Sequence, residues 1–185
     1  MIHTDRLIRR TTQFFVFFSM SFCAAVFANE DLIQPKNTVV DKSLDQKQAQ
    51  AMSLAARRYY TFWHTGDPKF AELALDAGFV DLNLPVGRPQ GPSGQILASA
   101  QFRRAVPDLQ LEVEEMMIVG DRVIGRLHFN GYFTGSFEGR QGQGQKIEFS
   151  AVDLYRIKDG KIVENWHLED NLSLMCQLGS LEKAP

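Results

Sequence analysis

In "KIVENWHLED", residues 161–170, Glu164, Trp166 and Asp170 recur at even spacing. Side chains alternate across a strand, so Ile162, Glu164, Trp166, Leu168 and Asp170 share one side. Val163, Asn165, His167 and Glu169 share the other. The first set is the bulkier and more apolar, and it is expected to face inward. Asp170 then ends the strand in partly apolar surroundings. Lost hydration disfavours the ionised form there and raises a carboxyl pKa. A carboxyl tuned toward neutrality can both remove and return a proton. The enolate formed that way needs donors for its oxygen, and Trp166, Arg126 and His128 are candidates.

The same residues have plainer uses. Asp170 can N-cap a helix beginning at Asn171-Leu172, and sequence leaves both roles open. Trp166 suits a core, Glu164 can pair with Arg156 on the neighbouring strand, and His167 falls on the outward side. In "RVIGRLHFNG", residues 122–131, Arg126 and His128 share a side with Ile124 and Asn130. The opposite side holds Val123, Gly125, Leu127 and Phe129. By bulk apolarity that is the core side, which turns Arg126 and His128 outward.

Other chemistries lack a pattern. His64, His128 and His167 sit on separate elements without metal-ligand spacing, so no metal site is expected. No Gly-rich loop joins a strand to a helix, so a phosphate cradle has no support, and no Ser or Cys sits in a nucleophile elbow. No cofactor is expected.

These side chains need elements to hold them. Ser43 with Gln46 forms a capping-box pattern. Met52, Ala55, Ala56, Tyr59, Phe62 and Trp63 follow at helical spacing, ended by Gly66. Asp67-Pro68 opens a second helix that Gly78 stops. "FVDLNLP" reads as a short strand and "VGRPQGP" as a loop. Ser93 opens a third helix, closed by Pro107. The period then becomes two: long strands around "LQLEVEE", "RVIGRLHFNGYF", "KIEFSAVDLYRI" and "KIVENWHLED", the last two joined by a "KDGK" hairpin. "NLSLMCQLG" is a short amphipathic helix or turn. Helices followed by consecutive antiparallel strands define an α+β class. The expected architecture is a strongly curved, mainly antiparallel sheet that wraps three N-terminal helices as a cone-shaped α+β barrel with an interior cavity.

Arg6, Arg9 and Arg10, the apolar run "FFVFFSMSFCAAVFA" and Val26-Phe27-Ala28 have the layout of a cleaved secretory signal. At 15 residues, 14–28, the run is shorter than the roughly 20 of a spanning helix. The expected organisation is a signal peptide over 1–28, cut after Ala28, a flexible leader over 29–43 and a domain over 44–180. The mature product is then periplasmic or secreted, with no membrane attachment after cleavage. Cleavage removes three of the 20 Lys and Arg and one of the 22 Asp and Glu, leaving a net charge of −4. No basic patch marks a nucleic-acid surface. Cys176 alone remains of the two cysteines, so no internal disulfide is available.

Three stretches carry a likeness. "GRPQGPSG" (87–94), "PDLQLEVEEMMIVGDRVIGRLHFNGYFTGSFEG" (107–139) and "AVDLYRIKDGKIVENWHLEDNLSLMCQLG" (151–179), in that order, resemble the SnoaL-like ester and polyketide cyclases. That family belongs to the nuclear-transport-factor-2-like superfamily of cone-shaped α+β domains. The resemblance runs from about Gln46 to Gly179. It implies ring closure by intramolecular aldol condensation, free of cofactor and metal, with a carboxylate at the end of the last long strand as acid and base. Asp170 matches that carboxylate, and Trp166 and Glu164 match residues upstream of it. The resemblance also implies that Arg126 lines the pocket, opposite to the apolarity reading. Many relatives carry a histidine in the first short strand where this chain has Leu82, which leaves Asn83 as the polar residue near the mouth. Export sets this chain apart from cytosolic polyketide assembly. A non-catalytic periplasmic domain that binds a small apolar or carbonyl-containing ligand is therefore a second expectation. A third is a homodimer formed through the outer sheet face.

Overall fold

The computed structural model describes residues 31–181; the signal-peptide expectation lies outside these residues. The described elements are β1 (Thr38–Val40), α1 (Gln46–Thr65), α2 (Pro68–Ala74), β2 (Leu75–Asp81), α3 (Pro92–Ala105), β3 (Gln110–Val119), β4 (Arg122–Phe133), β5 (Ser136–Phe137), β6 (Arg140–Gln141), β7 (Gln145–Lys158), β8 (Lys161–Glu169) and α4 (Asn171–Gln177).

The main sheet runs β1-β3-β4-β7-β8-β2. Its four long inner strands pair antiparallel, while β1 and β2 join the edges parallel to β3 and β8. The mainly antiparallel, curved sheet with helices packed inside it is the cone-like α+β fold expected from the pattern. Its concave face carries Leu111, Val113, Met116, Val123, Leu127, Phe129, Phe149, Ala151 and Tyr155, all buried. Helix α1 lays Met52, Ala55, Ala56, Tyr59, Tyr60 and Phe62 against them. Each large side chain buried in this way contributes roughly 1.5–3 kcal/mol. Gly125 lets α1 approach, because a Cβ there would meet the Tyr60 hydroxyl.

Local chemistry sets the ends of the helices. Asp45, rather than Ser43, caps α1, accepting from the Lys47 and Gln48 amides; Ser43 instead bonds the Asp41 side chain. Gly66 ends α1 with φ 77°, its amide donating to the Phe62 carbonyl. Asp67 caps α2 and Pro68 occupies its first turn. Helix α2 stops at Ala74, before Gly78, because Leu75–Asp81 is drawn into the sheet beside β8.

The expected flexible leader is held in place where it is described. Leu32 is buried, Ile33 N donates to Thr61 Oγ1 at 3.1 Å, and β1 pairs with Met116–Ile118. Three residues of pairing leave too weak a period-two signal to read from sequence.

Two register shifts shape the sheet. One lies between Val113 and Glu115 of β3. The other sets Ile162 opposite Ile157 but Glu164 opposite Arg156, so Val163 is the extra residue in β8. A bulge of this kind bends a strand and reverses its facing beyond it.

Candidate active site in the cone

The bulge at Val163 overturns the expected facing of β8. Ile162 faces the core, but beyond it Asn165, His167 and Glu169 point inward, and Glu164, Trp166, Leu168 and Asp170 take the other side, Leu168 being 56% exposed. Trp166 is 40% exposed on the outer sheet face. Glu164 lies there too, ion-paired with Arg156 and, at 3.7 Å, with Arg122. Asp170 is exposed and caps α4, accepting from Ser173 N at 3.1 Å and Ser173 Oγ at 2.6 Å. Those two bonds hold its carboxyl below the usual carboxylate range, opposite to the raised pKa expected. Arg126 is exposed and His128 lies 3.9 Å from Glu148, both outside the cone, as bulk apolarity indicated. Of the anticipated pocket residues, Asn83 alone lines the interior.

Asp153 on β7 and His167 on β8 stand opposite each other in register. Asp153 is 2% exposed. Its Oδ1 lies 2.7 Å from His167 Nδ1 and accepts from Asn165 Nδ2 at 3.0 Å; Oδ2 accepts from Tyr155 Oη at 2.6 Å. Burial, the largest single influence on Asp153, raises its pKa. The facing imidazolium and the three hydrogen bonds outweigh burial, and the net direction is down. For His167, burial again has the largest single effect and disfavours the charge. The Asp153 carboxylate, helped by Glu169, overrides it and pushes the imidazole up to about 10. At neutral pH the pair is therefore imidazolium and carboxylate. The second ring nitrogen, Nε2, lies 3.4 Å from Glu169 Oε2.

The backbone of His167 is clasped from the turn that follows β2. Its N–H donates to Asn83 Oδ1 at 2.9 Å, and its carbonyl accepts from Asn83 Nδ2. The loop after Asn83 closes on itself through Gln90, whose side chain bonds both the N–H and the carbonyl of Asp81 at 2.8 Å.

His167 and Glu169 stand between two cavities. One, about 340 Å3, is walled by Trp63, Phe102, Phe129, Phe137 and Phe149, with Leu174 and Met175 of α4. Phe129 and Phe149 stack at 4.9 Å, and Phe102 meets Phe149 edge-on at 6.0 Å. Gln177 holds α4 in place by bonding the N–H and carbonyl of Glu148. The other cavity, about 150 Å3, is polar, with Tyr59, Asp81, Gln95, Asp153 and Asn165 in its wall. Asp153, His167, Glu169 and Arg88 border both.

The model of the SnoaL-like polyketide cyclase family matches residues 53–178. The chain belongs to that family. Among solved structures, this SnoaL-like chain is 43% identical to a candidate polyketide cyclase of Bacillus cereus, covering 81% of this chain and 95% of that one, TM-score 0.73. It is 27% identical to AclR, a candidate hydroxylase of Streptomyces galilaeus, over 75% of this chain and 86% of that one, TM-score 0.64. The Streptomyces laurentii protein TsrD is 25% identical over 75% of this chain and 99% of its own, TM-score 0.64. No curated protein matches the sequence.

Within this SnoaL-like cone, the inward groups can bind a carbonyl compound and move a proton. The Nε2–H of His167 is a charged donor for a carbonyl or alkoxide oxygen. Glu169 can accept a proton beside it. No group of His, Cys, Asp and Glu with metal-binding geometry occurs among the described residues. Sequence reasoning missed Asp153, although one signal was available. In "FSAVDLYRI", Phe149, Ala151, Tyr155 and Ile157 all alternate inward, and Asp153 is the one carboxylate among them.

Proposed function

We propose that this protein is a cofactor-independent cyclase or isomerase of carbonyl compounds, with His167 as acid and Glu169 as base. The observation that carries the reading is the pair of buried Asp153 and partly exposed His167, set beside Glu169 where an aromatic cavity meets a polar one.

In an aldol-type closure, Glu169 removes a proton from the carbon between two carbonyls. The resulting enolate carbon attacks a second carbonyl of the same molecule. The oxygen of that carbonyl, becoming an alkoxide, takes the proton from His167 Nε2. Proton return from Glu169 to His167, across their 3.4 Å separation, resets the pair. Asp153 holds the ring in orientation and favours its protonated form, as buried carboxylates do for catalytic imidazoles. The Phe wall supplies an apolar surface for the body of the substrate, whose seating there would displace water and strengthen the charges at the reacting atoms. Asp170, which matches the family's carboxylate in the sequence, serves as the cap of α4 in this reading.

Export belongs to the same proposal: the basic and apolar N-terminal run supports secretion and cleavage after Ala28. The test is turnover of a panel of cyclisable β-keto esters by the full mature chain. His167→Asn and Glu169→Gln should each lower kcat by about 10²- to 10⁴-fold. Wild-type rates in both variants would remove the mechanism. Ligands that raise Tm without being converted would make the domain a carrier instead.

A further inference from the structure

One wall of the aromatic cavity comes from outside the main sheet. Strands β5 and β6 pair with each other, as a hairpin inserted between β4 and β7. Glu138 and Gly139 form its two-residue turn, both with positive φ, 46° and 78°. That handedness matches the twist of paired strands, and it sets Phe137 opposite Arg140 at the tip. The base is tied down. Gly142 N–H donates to the Gly135 carbonyl at 2.7 Å, and Gly135 N–H donates to the Ala105 carbonyl, at the end of α3, at 3.0 Å. A Cβ on Gly135 would lie 1.7 Å from the Arg104 carbonyl oxygen, so glycine is what lets the hairpin seat this closely. Phe137 is thus carried at the tip of an anchored hairpin.

Phe137 is half-buried, and its ring meets Phe102 edge-on at 6.4 Å. It borders the aromatic cavity of about 340 Å3 and also an outer hollow of about 600 Å3, walled by Arg104, Ser136 and Glu138. Gln101 borders both as well, so these two side chains stand between hollow and cavity. His167 and Glu169 lie where the aromatic cavity meets the polar one. The aromatic cavity therefore has the reacting groups at one limit and the Phe137 ring at another.

We infer that Phe137 sets the length of substrate the site accepts, its ring closing the aromatic cavity against the outer hollow. The inference rests on the proposed chemistry for the carbonyl's position at His167, and it adds a specificity-determining residue. The substrate's apolar body runs from His167 toward Phe137 and stops there. A void of about 150 Å3 takes one benzene ring. At about 340 Å3, the cavity holds a body of roughly a dozen carbons on the same scale.

Methyl n-alkyl ketones from 2-heptanone to 2-pentadecanone test this, titrated into the mature chain at low micromolar concentration. Tryptophan fluorescence reads binding, since Trp63 stands in the cavity wall. In the wild type each added CH₂ should tighten binding about fourfold until the cavity is full, at roughly a dozen carbons, and then add nothing. In Phe137→Ala the gain should continue for about three to six further carbons, the space of the lost ring. In Phe137→Trp it should stop earlier than in the wild type. The stopping point is read within each chain, so a general loss of affinity does not move it, and a loosened hairpin cannot shift it in both directions. A stopping point common to all three chains overturns the inference. So does an unbroken gain to the longest ketone in the wild type, which would mean that the tail leaves between Phe102 and Met175, and so does an absence of binding by every ketone. These outcomes are read from binding and are separate from loss of turnover in His167→Asn, which tests the proton chemistry alone.

Discussion

Replacing Asp153 by Asn should convert a pH-dependent stability into a flat one. His167 titrates near 6.5 when unfolded and is pushed up to about 10 when folded beside Asp153. A raised imidazole pKa stabilises the fold fully below pH 6.5, and the stabilisation is lost as pH rises through 10. At about 1.36 kcal/mol per pH unit, that interval is worth on the order of 5 kcal/mol. The side chain is 31% exposed through the pocket mouth, so screening lowers the expected loss to about 3–5 kcal/mol. Asp153 acts at the other end: its depressed pKa adds stability above about pH 4 that falls away below it. This is the same interaction seen from its partner, and the two contributions are not summed. Tyr59, Tyr60 and Tyr155, all raised by burial, destabilise the fold only above pH 10 and leave the window clear. Urea unfolding of the wild type and of Asp153→Asn at half-unit steps from pH 6 to 10 measures the effect. The variant should be about 3–5 kcal/mol less stable near pH 6, and the two curves should converge toward pH 10. A difference that stays constant across the window would refute the claim that Asp153 holds His167 protonated.

Other expectations follow from the same geometry. The rate of β-keto ester turnover should hold through the mildly alkaline range and decline near pH 10, where His167 loses its proton; a decline centred near 6.5 would place the active histidine in an ordinary environment. Asp170→Ala should lower stability by about 1 kcal/mol, the value of a helix cap, and leave kcat near wild type, measured by thermal melting and initial rates. Gly125→Ala should cost about 1–3 kcal/mol by forcing a methyl group against the Tyr60 hydroxyl, read from the urea midpoint. Mass spectrometry of the chain recovered from an exporting bacterial host should show an N-terminus at Asn29; an intact Met1 would sink the proposed cleavage.

The fold was legible in the sequence because the periods were strong. Helical spacing from Met52 to Trp63 and alternation through "LQLEVEE" and "FSAVDLYRI" each bury one face, and the two faces can satisfy each other in few ways. The site was less legible, for a reason that one residue explains. Alternation was carried unbroken from Ile162 to Asp170, which put Glu164, Trp166 and Asp170 inside. Val163 adds a step, and every side chain after it changes sides. No composition marks that bulge, since Val is a favoured strand residue and Val163 is neither Gly nor flanked by Gly. On β4, where the register stays even across β7, the apolarity argument placed Arg126 and His128 correctly on the outside. The pairing of Asp153 with His167 depends on strand register between β7 and β8, which a single chain's pattern does not specify.

The clasp of Asn83 on the His167 backbone constrains traffic. With the two Gln90 bonds to Asp81, it fastens the 82–91 loop by four hydrogen bonds, each worth about 1 kcal/mol net. Prising that side open would unseat the acid at the same time. On the other rim, Phe102 of α3 faces Leu174 and Met175 of α4 across the aromatic cavity, and passage between them breaks none of those four bonds. Guests should come and go by that greasy doorway, tail last, and the histidine need never let go of its tether to admit them.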